Sequence, residues 1–382
     1  MSATTPAATP AGTAAGVEPA VRVSTLELFF DLVFVFTITQ LTGLLAGDLT
    51  PAGLGRVMLM LGVIWWMYGG YAWLTNAVAP TNTLRRGLLI TGMAGFLAVA
   101  LGIPDGYGPA GWAFGVGYFV VNAVHSGLFR LAGGPGAAAA MRWLGPLNLL
   151  SATLVLAGGF APGGWRYGAW AAALAVQIAS PYLHPIGGFT ISATHFVERH
   201  GLVVIVALGE SVVAIGAGVG ARPTWRLVAV AVLGLVLAYY LWWAYFGGDD
   251  ERAERALAGI ADPHRRARAA LSAYGYAHYP ILLGIVVLAA GVKKAIGHAF
   301  DHLLPAQALA VGGGVILFLG GDLAFRAVLR IPGPWYRIGC IVAAAVTVPL
   351  GLLYATVQLA VLTAVIAVLL AIEGLRRRRH GG

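Results

Sequence analysis

Twelve long apolar runs, spaced almost end to end, leave this chain few ways to fold. They fall at about 24–46, 53–77, 84–103, 109–130, 142–160, 165–183, 200–220, 224–246, 271–292, 304–326, 335–350 and 353–374. A bilayer core is about 30 Å thick and takes about 20 apolar helical residues to cross. Within it every backbone N–H and C=O must be bonded inside the protein, which selects helices or closed barrels. Runs of this length are helical, and only 10% of the 382 residues are charged, against about 25% in a soluble domain. The expected fold is all-α, a polytopic transmembrane helix bundle of about twelve spans. The last two runs are the hardest to divide. Residues 338–372 are almost unbroken, and only Pro349 and Gly351 mark a turn.

Arginine and lysine predict the orientation, because cytoplasmic loops hold more of them. With the N-terminus inside, one side collects Arg22, Arg85, Arg86, Arg130, Arg142 and Arg199. It also collects the arginines of 252–268, Arg326, Arg330, Arg337 and Arg376 to Arg379. The other side keeps Arg56, Arg166, Arg222, Arg226, Lys293 and Lys294. Both termini are therefore expected in the cytoplasm, with an even number of spans. Residues 1–20 are rich in Ala, Thr and Pro, with no apolar centre and no basic start. They predict a disordered cytoplasmic tail and not a signal peptide. Residues 376–382 form a basic cytoplasmic tail. Between 247 and 268 the charges alternate at helical spacing, which predicts a short solvated helix. The net charge of +9 follows the loops, so no nucleic-acid partner is inferred, and the single cysteine, Cys340, excludes an internal disulfide framework.

A weak internal repeat divides the spans. FFDLVFVFTITQ (29–40) resembles RHGLVVIVALGE (199–210), TLRRGLL (83–89) resembles HRRARAAL (264–271), and LFRLAG (128–133) resembles AFRAVL (324–329). Two six-helix halves, 21–190 and 191–375, would then share one orientation. In such parallel repeats the binding site tends to lie at mid-depth between the halves.

Within that plan one carboxylate stands out. Glu210 lies nine residues beyond Gly201, which is ~14 Å along a helix and near the middle of a bilayer. A carboxylate there costs at least about 2.5 kcal/mol on insertion scales and marks a functional site by default. Gln40, its counterpart in the repeat, and Ser211 beside it are candidate hydrogen-bond partners. No Lys or Arg falls at that depth in any predicted span, so a cation built into the protein is not expected. His125 and His278 fall inside the fourth and ninth spans and could relay protons.

A second group gathers near the inner face. Glu27 and Asp31 share one helix face, as do His195, Glu198 and Arg199. With His200 they predict a charge network linking the first and seventh helices. His184, His195, Glu198 and His200 are also the candidates for a metal. No HExxH and no cysteine cluster is present, so the expectation is no metal and no cofactor. Asp322 and Arg326, four apart, predict a structural ion pair within one helix.

Two stretches also carry a resemblance. LELFFDLVFVFTITQL (26–41) and HFVERHGLVVIVALGESVVAIG (195–216) resemble the two signatures of the low-temperature-requirement A (LtrA) family of bacterial membrane proteins. The resemblance implies a multi-pass protein of the bacterial inner membrane and supplies no substrate. The leading expectation is a proton- or ion-coupled secondary transporter of a small molecule, with the lipid bilayer as its other partner. No nucleotide-binding GxxxxGK[ST] motif occurs, so a gradient would drive uphill movement. The alternatives are an intramembrane enzyme acting on a lipid or isoprenoid, and a passive channel or structural membrane protein.

Overall fold

A computed structural model describes residues 23–78, 82–132, 134–183, 189, 191–220 and 223–380, without the side chain of His380. The N-terminal tail, Arg22, His184 and Arg222 lie outside the described residues. Among those described there is no strand. The first six helices are α1 (Thr25–Gly47), α2 (Pro51–Ala77), α3 (Thr83–Gly102), α4 (Gly111–Ala132), α5 (Gly134–Phe160) and α6 (Gly164–Leu183). Then come α7 (Ala193–Val219), α8 (Trp225–Phe246), α9 (Asp249–Ala258) and α10 (Pro263–Ala270). A π-helical turn, Leu271–Tyr276, leads into α11 (His278–Gly297), α12 (Pro305–Val328), α13 (Trp335–Gly351) and α14 (Ala355–His380).

Each predicted run is a helix, and local chemistry explains where several begin. Ser24 caps α1 in a capping box with Glu27, whose carboxylate accepts from the Ser24 N–H at 2.7 Å. Thr50, Asn82, Ser192, Thr224 and Asp262 cap α2, α3, α7, α8 and α10 through their side chains. The Ser192 cap starts α7 well before the apolar run at Gly201, so its polar first turns belong to the helix. Among the described residues ten helical stretches are long and apolar enough to cross a membrane. α13, with 17 residues, is shorter. α6 is not among the ten, because Arg166, Gln177 and Ser180 dilute it. The turn between the last two helices falls after Gly351, as Pro349 and Gly351 suggest.

Two expectations change. The loop after α8 holds two short helices, and neither is simply solvated. Ala253 and Leu257 of α9 and Ala267 and Ala270 of α10 are buried in a small second core with Phe196, Tyr274 and Phe325, and Asp249 of α9 is buried too. The alternating charges mark only the outer face of an amphipathic pair. The basic tail is not a separate segment either, since α14 continues through Arg376–Arg379 to His380.

The bundle is built around α11, which is buried along nearly its whole length and packs on α12, α7 and α1. α1 packs on α3 as α7 packs on α11, and α2 packs on α6 as α8 packs on α14. The tightest seams also correspond. At Gly117 of α4 a Cβ would meet the Gly95 carbonyl oxygen of α3 at 2.6 Å, and at Gly284 of α11 it would meet that of Gly314 of α12 at 2.6 Å. Backbones this close leave room only for hydrogen, the helix-packing solution common in membranes. α1 and α7 cross the centre side by side.

Candidate functional site

The α1–α7 seam brings both predicted groups together. At its arginine-rich end Arg199 donates from Nη1 to Asp31 Oδ2 at 3.0 Å and to the Glu27 carbonyl at 2.8 Å. Tyr68 of α2 donates its hydroxyl to Asp31 Oδ1 at 2.8 Å. The guanidinium also lies over the rings of Phe30 and Tyr68, at 5.5 and 5.7 Å. His195 Nε2 sits 3.4 Å from the Glu27 carboxylate, and its Nδ1 is 3.3 Å from the Asn76 amide. Glu27, Asp31, His195 and Arg199 are all buried. Their i, i+4 spacing on two parallel helices sets two such pairs face to face.

Two predicted members stand apart. Glu198 is exposed and, among the described residues, accepts from the Val23 N–H at 3.4 Å. One residue before Arg199, it is turned ~100° away from the seam. His200 is turned the other way, among Trp65, Phe196, Tyr274 and His278. Arg85 and Arg86 of α3, Arg130 of α4, Arg265 of α10 and Arg326 of α12 also fit the sequence as partners of Asp31. Arg199 takes that place because α7 lies directly against α1.

Farther along the same seam Glu210 is buried and accepts a hydrogen bond from the Thr39 hydroxyl. Its partner is thus the residue before Gln40, and no bond to Gln40 or Ser211 is described. The hydroxyls of Ser211, Thr37 and Thr42 are buried without a hydrogen-bond partner among the described residues. Lys293 of α11 bears electrostatically on the Glu210 carboxylate. No hydrogen bond or ion pair joins the two among the described residues, so Lys293 acts only at long range. The tertiary fold brings it from a stretch that reads as a loop, because α11 continues to Gly297.

Sequence reasoning missed a second ionic cluster. Arg337 Nε donates to Asp322 Oδ2 at 2.6 Å, and Arg326 Nη1 donates to Asp249 Oδ2 at 2.7 Å. Glu373 binds both arginines and Arg377, and Arg252 closes on Asp249 at 2.8 Å. The cluster ties α9, α12, α13 and α14 together. The expected Asp322–Arg326 bond is not formed. Asp322 faces α13, where Arg337 reaches it, and Arg326 lies one turn farther on, against α9 and α14. A lone Glu373 four residues before Arg377 was the available signal.

The remaining polar groups surround a cavity of about 110 Å³ between α2, α4, α5, α6, α7 and the π-helical turn. His125 and His200 line it, and His278 lies behind His200 with ring centres 5.8 Å apart. His278 is held by the Ala273 carbonyl at 2.8 Å and by the Tyr245 hydroxyl at 2.7 Å. Neither His125 nor His278 touches Glu210 through a described bond. Among the described residues no group of three or more His, Cys, Asp or Glu is placed to hold a metal.

A family model, bacterial low temperature requirement A protein (LtrA), matches residues 22–372. The chain belongs to the LtrA family. It is also 29% identical over 319 residues to an uncharacterized protein of Rhizobium meliloti (strain 1021), covering 79% of this chain and 76% of that one. No solved structure matches. In this LtrA chain the stretches 26–41 and 195–216 lie on α1 and α7, which pack against each other. Residues within these two stretches bond to one another across the seam, Asp31 to Arg199 and Thr39 to Glu210.

Proposed function

We propose that this LtrA chain is a proton- or ion-coupled secondary transporter of a small molecule in the bacterial inner membrane, with both termini cytoplasmic. One observation carries the reading. A buried carboxylate, Glu210, lies in the seam between α1 and α7, with one hydroxyl donor among the described residues and a lysine at electrostatic range. A mid-membrane carboxylate with so few donors changes its protonation when water or a cation reaches it, which is what coupling requires. The corresponding packing of α1–α6 and of α7, α8 and α11–α14 supports a two-half carrier whose site lies between the halves.

An intramembrane enzyme would draw on Glu27, Asp31, His195 and Arg199. Those groups are already bonded to one another, which leaves no free nucleophile or base among them. The discriminating variant is Glu210→Gln, which keeps the shape and can still accept from Thr39 but cannot titrate. A coupling role predicts protein as abundant as the parent that fails to complement a deletion strain. Full complementation across a range of external pH would remove the coupling role.

A further inference from the structure

A larger groove, of about 680 Å³, lies between the last turns of α8 and α14, which pack on each other. That volume falls in the ~300–1,000 Å³ range of ligand pockets. The two helices run side by side toward the same end, where Arg377 Nη1 donates to the Gly247 carbonyl at 3.3 Å. Gly247, Arg252, Arg377 and Arg378 line that end. Tyr239 lines the groove eight residues before Gly247, ~12 Å back along the helix. The inner part is therefore aromatic and aliphatic, with Tyr239, Trp243 and Leu370. Tyr239 is 47% exposed and Trp243, one turn on, is 40% exposed, so the groove opens outward from the bundle. Its rim carries unmatched positive charge. Four lining residues are arginines and only Glu373 is acidic. Glu373 is already bonded to Arg326, Arg337 and Arg377. Arg252 bonds Asp249 through Nη1 at 2.8 Å, which leaves donors over from the five of a guanidinium. Arg378 is exposed and has no hydrogen bond or ion pair among the described residues.

An apolar inner part beneath a cationic rim suits an amphiphile with an anionic head. We propose that this groove holds one anionic phospholipid. Its phosphate lies against the arginines of the rim, and its glycerol and upper acyl chains lie along Tyr239, Trp243 and Leu370. Arginine presents a planar fork of donors that matches phosphate oxygens. Tryptophan and tyrosine of membrane helices sit at headgroup level, so the arginines just beyond the aromatic end of α8 fall at the depth of the phosphates. Basic pockets between membrane helices bind lipid head groups of this kind. A zwitterionic lipid would bring a second cation to the arginines, and a soluble anion would leave the apolar part uncovered. The bound lipid would brace the end of α14 against α8 and α9, beside the ionic cluster. The site goes beyond the transporter reading and does not depend on it.

The test is native mass spectrometry of the full chain in a neutral detergent, titrated with dioleoylphosphatidylglycerol or dioleoylphosphatidylcholine at one ionic strength. The parent should retain one phosphatidylglycerol at least about tenfold more tightly than phosphatidylcholine, since each arginine near an anionic lipid is worth about fivefold in affinity. Arg378→Gln should weaken phosphatidylglycerol by about that fivefold. Arg379→Gln removes an exposed charge that does not line the groove and should bind as the parent does. Gly374 lines the groove, and a Cβ there would meet nothing within 4 Å. Gly374→Leu keeps every charge, fills the space without a clash, and should abolish the preference for phosphatidylglycerol. All three variants should keep the parent's Tm in lipid-free detergent. Glycerol 3-phosphate in large excess should not displace the lipid. No preference of the parent for phosphatidylglycerol, an equal loss in Arg379→Gln and Arg378→Gln, or undiminished binding by Gly374→Leu would each overturn the site. Displacement by glycerol 3-phosphate would overturn the lipid as its occupant and leave a site for free phosphate. None of these results bears on Glu210, and full complementation by Glu210→Gln would leave the lipid site standing.

Discussion

Asp31 and Arg199 are each about 1% exposed, so neither charge can turn to solvent if the other is lost. Removing one member of such a pair typically costs about 3–5 kcal/mol, because the survivor stays buried and uncompensated. Asp31→Leu or Arg199→Met alone should sharply reduce folded protein in the membrane. The double variant should recover much of the loss, since apolar side chains of similar volume often replace a buried ion pair at little cost. Size-exclusion yield and Tm in detergent check this, and a double variant as poor as the worse single one would refute it. A swapped pair should recover less. An arginine at 31 would face the Tyr68 hydroxyl, and an aspartate at 199 would face the Glu27 carbonyl, each positioned for the opposite charge. Glu210 is a different kind of residue, with one described hydrogen bond, so Glu210→Gln should alter function with little effect on the amount of folded protein.

At the scale of elements, the contact between α11 and α12 depends on glycine at defined places. A Cβ on Gly284 would lie 2.6 Å from the Gly314 oxygen and 2.9 Å from Phe318 Cα, and one on Gly314 would lie 2.6 Å from Leu288 Cα. Those obstacles are backbone atoms, which cannot swing aside. Gly284→Leu should therefore push the two helices apart and cost more than the about 1–3 kcal/mol typical of overpacking. Gly313, on the same helix, would meet nothing within 4 Å. Gly313→Leu is the matched control and should leave Tm near the parent value, as a thermal unfolding series in one detergent will tell. The glycines of α12, Gly312, Gly313, Gly314, Gly320 and Gly321, are by composition alone a sign of close packing. Which of its glycines touch α11 depends on how the helix is rotated.

For the whole molecule, the arginine-rich ends of the helices predict both termini in the cytoplasm. Reporter fusions after Gly382 and within the 259–262 link between α9 and α10 should both report cytoplasmic location. A periplasmic signal from either would break the even-span plan. The link is the better insertion point because α9 and α10 carry buried residues of their own. The weak sequence repeat has a structural counterpart in the packing order and in the two glycine seams. Its register is imperfect. Arg85 and Arg86 begin α3, whereas Arg265 and Arg266 begin α10, a π-helical turn ahead of α11.

The sequence by itself determined the helices, their approximate ends, the membrane class and the face each charged residue shares with its neighbours. Hydropathy, caps and the 3.6-residue period are local properties, carried by residues adjacent along the chain. Thus Glu27 with Asp31, and His195 with Arg199, could be read as pairs on common faces. Only the tertiary structure decided who meets whom across helices. It gave Asp31 to Arg199, Asp322 to Arg337 and Glu210 to Thr39, brought Lys293 toward Glu210, and turned Glu198 outward and His200 toward the aromatic cavity. Such pairings require atoms from separate helices to come within about 3 Å. That depends on helix rotation and crossing, which the packing of the whole bundle sets and no local pattern encodes.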